Sequence, residues 1–246
     1  MIGTLVKRFS PVKRARLLSN LIYLVAKSDT PANSIRFLLE TDNILYSLEG
    51  KWAVLYGDGI HTKHRHTNYH RFFIENLKPG EDVLDIGCGN GFLAYDMACH
   101  VDNVKVIGIE MDQRNVSFAI EHYNHPNLQF IHGDALKDLP NEEFDVVTLS
   151  NVLEHIEHRV IFLNEVMKKI SPKRFIIRVP MYERDWRVSL KKELGIDYRL
   201  DATHYIEYTY EGFAEELRQA GLGLTYAEFR WGEIWCVAEP LIEVKS

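Results

Sequence analysis

The 246-residue chain predicts a doubly wound α/β fold built on a mostly parallel sheet. Three observations carry that expectation. From residue 83 onward, short apolar runs alternate with helix-length amphipathic stretches. The first run ends in three glycines at alternate positions, Gly87, Gly89 and Gly91. The second ends in Glu110, about 20 residues further on, where a nucleotide-binding sheet carries its ribose acid.

The elements follow in order. Through Ser28 the chain carries Lys7, Arg8, Lys13, Arg14, Arg16 and Lys27 and no acidic residue. Within it Leu17, Leu18, Leu21, Ile22 and Val25 recur at helical spacing, giving an amphipathic basic helix. Its apolar stripe is expected to pack on the domain; the alternative is contact with an anionic membrane surface. Thr30 caps a second helix, Pro31 suits its first position, and it runs towards Leu48, ahead of Gly50. Residues 57–68 read as a loop feeding a helix over 69–77, and Pro79-Gly80 turns the chain into the first strand. Residues 1–60 thus read as a helical appendage and 61–246 as the α/β domain.

Within that domain the pattern gives a strand at Val83–Ile86, a helix over 92–99, a strand over 104–109 and a helix over 115–123. A strand over 128–132 leads to Gly133-Asp134-Ala135, and one over 144–149 leads to Ser150-Asn151. A helix over 159–170 stops at Ser171-Pro172, and a fifth strand over 174–179 stops at Pro180. Residues 181–208 show no clear period and read as an insertion over the ligand pocket. A helix over 210–220 closes at Gly221, and strands over 224–229 and 233–238 flank Arg230-Trp231-Gly232.

These residues point to an adenosine site. The glycines let the backbone turn sharply and approach a ligand closely, and the amides opening the next helix favour a negative group. Glu110 at a strand end can accept from both ribose hydroxyls. Asp134 can take the exocyclic amine of an adenine while the Ala135 amide bonds a ring nitrogen. A nicotinamide site fits less well: its G-x-G-x-x-G turn needs one more residue, and Phe92 stands where the third glycine belongs. No Gly-Lys-Ser/Thr occurs, which excludes a P-loop.

The run Val83-Leu84-Asp85-Ile86-Gly87-Cys88-Gly89-Asn90-Gly91, with the three later motifs, resembles class I S-adenosylmethionine-dependent methyltransferases from about His61 to Glu239. The resemblance implies a seven-stranded Rossmann-like sheet with a reversed C-terminal strand. It also implies S-adenosyl-L-methionine as methyl donor and S-adenosyl-L-homocysteine as product. Gly87, Cys88 and Gly89 would line the methionine part, in a cofactor-binding turn that includes Asp85 and Gly91. Glu110 would hold the ribose, Met111 would lie on the adenine face, Asp134 and Ala135 would read the adenine edge, and Asn151 would sit near the sulfur. Segments 63–69, 179–186 and 203–209 are similar, more softly, to methyltransferases of cell-surface polysaccharide synthesis.

Methyl transfer from a sulfonium is an in-line displacement, so alignment and exclusion of water should supply much of the rate. A hydroxyl acceptor must also shed a proton, which suits a histidine. His155 and His204 are the candidate bases; a structural role for His155 and an idle loop position for His204 compete with that reading. His61, His64, His66 and His70 cluster, but no clear further ligand stands nearby, and no metal site is expected. Lys63, His64, Arg65, Arg178, Arg184 and Arg187 suggest a cationic rim for an anionic acceptor, unless they are scattered surface charges. Tyr182, Trp186, Tyr198, Tyr205 and Tyr208 with Asp185, Glu193, Asp197 and Asp201 suit a sugar, or simply pack a lid.

Composition narrows the classes. A formal charge of -6 argues against broad nucleic-acid binding. Cys88, Cys99 and Cys236 show no metal spacing and fit a reducing cytoplasm, with peripheral contact at the inner membrane surface if the basic helix docks there. No apolar run reaches the ~20 residues of a membrane span, and no signal-peptide layout is evident. The expected activity is methyl transfer to a small-molecule or glycan-type hydroxyl. The rivals are a non-catalytic partner subunit and an enzyme for a lipid-linked acceptor.

Overall fold

The computed structural model describes residues 9–135 and 137–241. Five strands in chain order, β1 (Asp82–Ile86), β2 (Lys105–Glu110), β3 (Leu128–His132), β4 (Val146–Ser150) and β5 (Arg174–Pro180), are followed by β6 (Leu222–Arg230) and β7 (Glu233–Pro240). Among the described residues they form one seven-stranded sheet in the order β3-β2-β1-β4-β5-β7-β6. The first five pair in parallel. β7 runs antiparallel to both β5 and β6, the reversed strand that the resemblance implies.

Alternation along the strands divides the core. Leu84 and Ile86 of β1, Val147 and Leu149 of β4, and Phe175 and Ile177 of β5 join one cluster. Val83, Val146 and Ile176, their neighbours in sequence, join the other, because successive side chains leave a strand on opposite faces. Helices α1 (Pro11–Lys27), α2 (Pro31–Tyr56), α3 (Lys63–Thr67) and α4 (Tyr69–Glu75) precede the sheet. Next come α5 (Phe92–His100), α6 (Gln113–His122), α7 (Arg159–Ile170), α8 (Trp186–Glu193) and α9 (Tyr210–Gln219). α7 and α9 cover the first face through Phe162, Leu163, Val166, Phe213 and Leu217. α4 and α5 cover the second through Phe72, Phe73, Leu93 and Met97. Central strands buried on both faces need continuous apolar runs, which is how β4 and β5 read.

The chain divides into two compact units. One takes in the described residues up to Thr62 with Arg187–Tyr198; the other takes in Lys63–Trp186 and the residues from Arg199 onward.

The helical unit corrects several expectations. α2 does not stop before Gly50 but passes through it to Gly57, because one interior glycine costs a helix only about 1 kcal/mol. On α1 no residue is buried, and Leu17, Leu18, Leu21 and Val25 are exposed. The stretch 181–208 contains α8, whose only buried residue is Val188, so its sequence carries little apolar period. Asp42 on α2 ties α8 down through Arg187 at 2.9 Å and Lys191 at 3.0 Å. The Lys191 ammonium also donates to Asn43 Oδ1 at 2.7 Å. Among the described residues no helix is long and apolar enough to cross a membrane.

Candidate active site

The turn after β1 is held open by its glycines. Gly87, Gly89 and Gly91 have φ of 68°, 55° and 82°, a region L side chains seldom adopt. A Cβ on Gly87 would lie 2.8 Å from the Val152 side chain, and one on Gly91 would lie 2.5 Å from the Phe130 ring. Gly89 differs: among the described residues nothing lies within 4 Å of where its Cβ would stand. Two turn glycines are therefore required by packing, while the middle one faces open space.

Glu110, at the tip of β2, bonds this turn directly. Its Oε2 accepts from the Gly89 amide at 3.0 Å and its Oε1 from the Asp112 amide at 2.8 Å. Beneath the turn Asp85 is 1% exposed; its Oδ1 accepts from Thr148 Oγ1 at 2.6 Å, and its Oδ2 has no partner among the described residues. Burial first, and then the charge of Glu110, push the Asp85 carboxyl up to about 7. Burial likewise raises the Cys88 thiol, so Cys88 shapes the turn as an inert side chain.

The next strand tip supplies the other acid. Glu110 pairs in register with His132, and the His132 ring bonds the Met111 carbonyl at 3.0 Å, leaving the Met111 side chain exposed. The Asp134 carboxylate accepts from Lys137 Nζ at 2.8 Å, and its amide donates to Asp138 at 2.9 Å. Ala135, His155, Ile156, Phe162 and Tyr205 help line a cavity of about 560 Å³. The cavity opens between the loop after β3 and the start of α7, and no residue of the glycine turn lines it.

Past β4, Asn151 adopts φ 56°, its amide donating to the Arg178 carbonyl at 2.8 Å. Its Oδ1 accepts from Arg178 Nε at 3.1 Å. Arg178 is buried, 3.5 Å from Glu233, and its guanidinium lies 3.6 Å from the centroid of the Tyr69 ring. Burial pushes the Tyr69 phenol up to about 12, although Arg178 pulls it back. Partial desolvation, helped by the Arg178 charge, holds the Lys63 ammonium below its usual range.

Two residues of the expected cationic rim are held in ion pairs. Arg184 is paired with Glu207, and Arg187 is spent on Asp42 in the helical unit. His64 sits in a polar network, with its Nδ1 3.3 Å from His70 Nε2 and 3.0 Å from the Tyr69 hydroxyl. His70 in turn reaches Asp96 at 2.6 Å.

His155 and His204, far apart in sequence, come together with ring centroids 4.6 Å apart. His155 closes the single 3-10 turn Leu153–His155 after β4. Its Nδ1 lies 2.9 Å from Thr203 Oγ1, and His204 Nδ1 lies 3.3 Å from Glu207. Partial desolvation first, and then the neighbouring His204, lower the His155 pKa. Beside them stands Glu154, which sequence reasoning passed over. It is fully buried, neither carboxylate oxygen has a hydrogen-bond partner among the described residues, and burial pushes its pKa up to about 8. Its only sequence signal was adjacency to His155, since burial of a carboxylate leaves no mark in local pattern. Thr148 was missed for the same reason.

A family profile described as a methyltransferase domain matches residues 77–202, just over half of the chain. Phosphoethanolamine N-methyltransferase 3 of Arabidopsis thaliana is 31% identical over 151 residues, covering 59% of this chain and 30% of that protein. The mitochondrial ubiquinone biosynthesis O-methyltransferase of Schizosaccharomyces pombe is 34% identical over 102 residues, covering 39% of this chain and 36% of that protein. The chain thus spans about a third of the length of these curated relatives. In fold it is similar to magnesium protoporphyrin IX methyltransferase of Synechocystis PCC 6803, solved with bound S-adenosylhomocysteine. There the TM-score is 0.57 at 17% identity, over 74% of this chain and 85% of that one. The sheet order, the glycine turn and the matched domain agree, and the chain belongs to the class I S-adenosylmethionine-dependent methyltransferase family.

Proposed function

We propose that this protein transfers the methyl group of S-adenosylmethionine to a hydroxyl oxygen of a small-molecule acceptor. The donor's ribose hydroxyls bond Glu110, whose carboxylate is already oriented by the Gly89 and Asp112 amides. Open space over Gly89 admits the methionine part of the donor beside Cys88. The unpartnered Oδ2 of Asp85 takes the donor's α-ammonium, which would offset the cost of that buried acid. Met111, Asp134 and Ala135 border the adenine, and Asn151 stands near the sulfur.

One observation carries the hydroxyl reading: His155 and His204 meet past the tip of β4, next to the strand that bears the glycine turn. Thr203 Oγ1 spends its one hydrogen on Asp201 Oδ1 at 2.7 Å, so His155 Nδ1–H is the donor to Thr203. Glu207 accepts from His204 Nδ1–H in the same way. Both rings therefore present the Nε2 lone pair, which is what removing a hydroxyl proton requires. An amine acceptor of the phosphoethanolamine kind needs only its own lone pair. The exposed Lys63 suits an acidic group on the acceptor, with the buried Arg178 charge close by. The free thiols Cys88, Cys99 and Cys236 fit a reducing cytoplasm.

Calorimetry with S-adenosylhomocysteine tests the donor half. Glu110→Ala removes two ribose bonds of ~1–1.5 kcal/mol each, so affinity should fall about 30-fold or more. Unchanged affinity would remove Glu110 from the site. Incubation with radiolabelled donor and a panel of phenols, catechols and amines tests the acceptor half. Label found only in amine products would overturn the hydroxyl reading.

A second reading concerns α1. Its exposed Leu17, Leu18, Leu21 and Leu24 share a helix with Lys13, Arg14, Arg16 and Lys27, a surface suited to anionic lipid.

A further inference from the structure

We propose that Glu154, His155 and His204 bind a divalent transition-metal ion at the acceptor end of the pocket. One nitrogen of each histidine and a carboxylate oxygen of Glu154 all lie within 4.8 Å of one another, the spacing of ligands that share one ion. Independent of that spacing, Glu154 is 0% exposed and both its oxygens lack a hydrogen-bond donor among the described residues. A buried carboxylate without a partner is costly, and a cation held between its oxygens and two imidazoles would offset that cost.

The surroundings of the rings match the role. Metal-bound histidines hold their second nitrogen on a carboxylate, carbonyl or other fixed acceptor, which sets the tautomer and aims the first. His155 does this through Thr203, itself fixed by Asp201, and His204 does it through Glu207. Glu207 is anchored in turn by Arg184 and by the Leu200 amide. His155 is exposed and also lines the cavity of about 560 Å³, so the ion's remaining positions would face solvent and acceptor. Two imidazoles and one carboxylate suit zinc, manganese, cobalt or ferrous iron better than calcium or magnesium.

Three protein ligands leave positions for an acceptor oxygen. Coordination lowers the pKa of a bound hydroxyl as it does that of bound water. The hydroxyl proton then leaves to bulk water. The oxygen lone pair forms the new O–C bond, and the breaking C–S pair returns to sulfur as a neutral thioether. With the ion bound, the Nε2 lone pairs hold the ion and coordination replaces the imidazole base in freeing the acceptor oxygen of its proton; in the ion-free protein an Nε2 lone pair keeps that role. This consequence rests on the hydroxyl reading; the ion site itself does not.

The test uses the full chain, stripped with EDTA and titrated separately with ZnCl2, MnCl2 and CoCl2 by calorimetry, with the visible absorption of bound Co2+ as a second readout. The expected result is one equivalent bound, weakened at least tenfold in each of Glu154→Gln, His155→Ala and His204→Ala, with S-adenosylhomocysteine affinity within twofold of the parent. His155 is exposed, so His155→Ala keeps the test usable should a buried variant fail to fold. No saturable binding of any of the three ions, or binding that survives all three substitutions, overturns the proposal. Methyl transfer undiminished after EDTA would refute the ion's catalytic role and leave the donor reading standing. Lost homocysteine-product binding in the parent would strike the donor reading instead.

Discussion

Asp85 and the turn above it show how one residue can serve folding and binding with opposite signs. Burial and Glu110 raise its carboxyl from 3.8 to about 7, so the folded protein holds that proton where the unfolded chain has lost it. A raised acid contributes stability that is complete below its unfolded pKa and is lost as pH rises through the folded one. The ligand-free protein should therefore lose stability from this group between about pH 4 and 7. Urea unfolding at pH 5 and 7.5 should show a smaller drop in Asp85→Asn than in the parent. Donor binding should run the other way, since the ammonium needs an ionised partner: homocysteine-product affinity should rise through pH 7 in the parent and stay flat in the variant. Parallel pH curves would remove Asp85 from the ammonium site. The glycines separate the same two functions. Gly91→Ala places a methyl 2.5 Å from the Phe130 ring at φ 82°, and should destabilise by about 2–4 kcal/mol. Gly89→Ala meets nothing and should cost folding only about 1–2 kcal/mol, yet lower product affinity at least tenfold by filling the open space. Thermal melts and calorimetry on the two variants read the contrast. The turn was legible because glycine at alternate positions marks a backbone that must turn tightly; Glu154 was not, because nothing local to it records its burial.

At the scale of elements, legibility followed how much of each element's pattern its own burial imposes. β3 at Leu128–His132 and α7 at Arg159–Ile170 fall where the sequence puts them, α7 because Phe162, Leu163, Val166 and Ile170 carry a helical period into the core. α8 escaped notice because charged contacts to Asp42, and not an apolar face, hold it, and such contacts have no period. α2 was read as too short because glycine was weighed as a stop signal, whereas tolerance of glycine depends on what the remaining turns gain. Gly50 makes the point measurable. A Cβ there would meet only His61 Nε2, at 3.8 Å, which is ordinary contact. Gly50→Ala should stabilise the helical unit by about 0.5–1 kcal/mol, chiefly by restricting the unfolded chain. A lower urea midpoint in that variant would mean that the helix needs the glycine for close packing at this position.

For the molecule as a whole, the distribution of charge matters more than its total. The net charge is -6, yet the stretch through Ser28 carries six basic side chains and no acid, so all of the excess negative charge lies beyond it. An acidic protein is repelled by an anionic bilayer unless one region reverses the field locally. α1 does this while exposing Leu17, Leu18, Leu21 and Leu24, none of them committed to the core. Each basic residue near such a surface contributes about 1 kcal/mol at physiological salt, and that share disappears as ionic strength rises. Sedimentation with phosphatidylglycerol vesicles should therefore pull the protein down at low salt and release it at high salt. Reversing Lys13, Arg14 and Arg16 to Glu should cut the bound fraction at least tenfold while leaving homocysteine-product affinity unchanged, because α1 contributes no buried residue. Equal recovery on neutral phosphatidylcholine would mean that the exposed leucines hold the protein to lipid by apolar insertion alone and that the basic residues of α1 play no part.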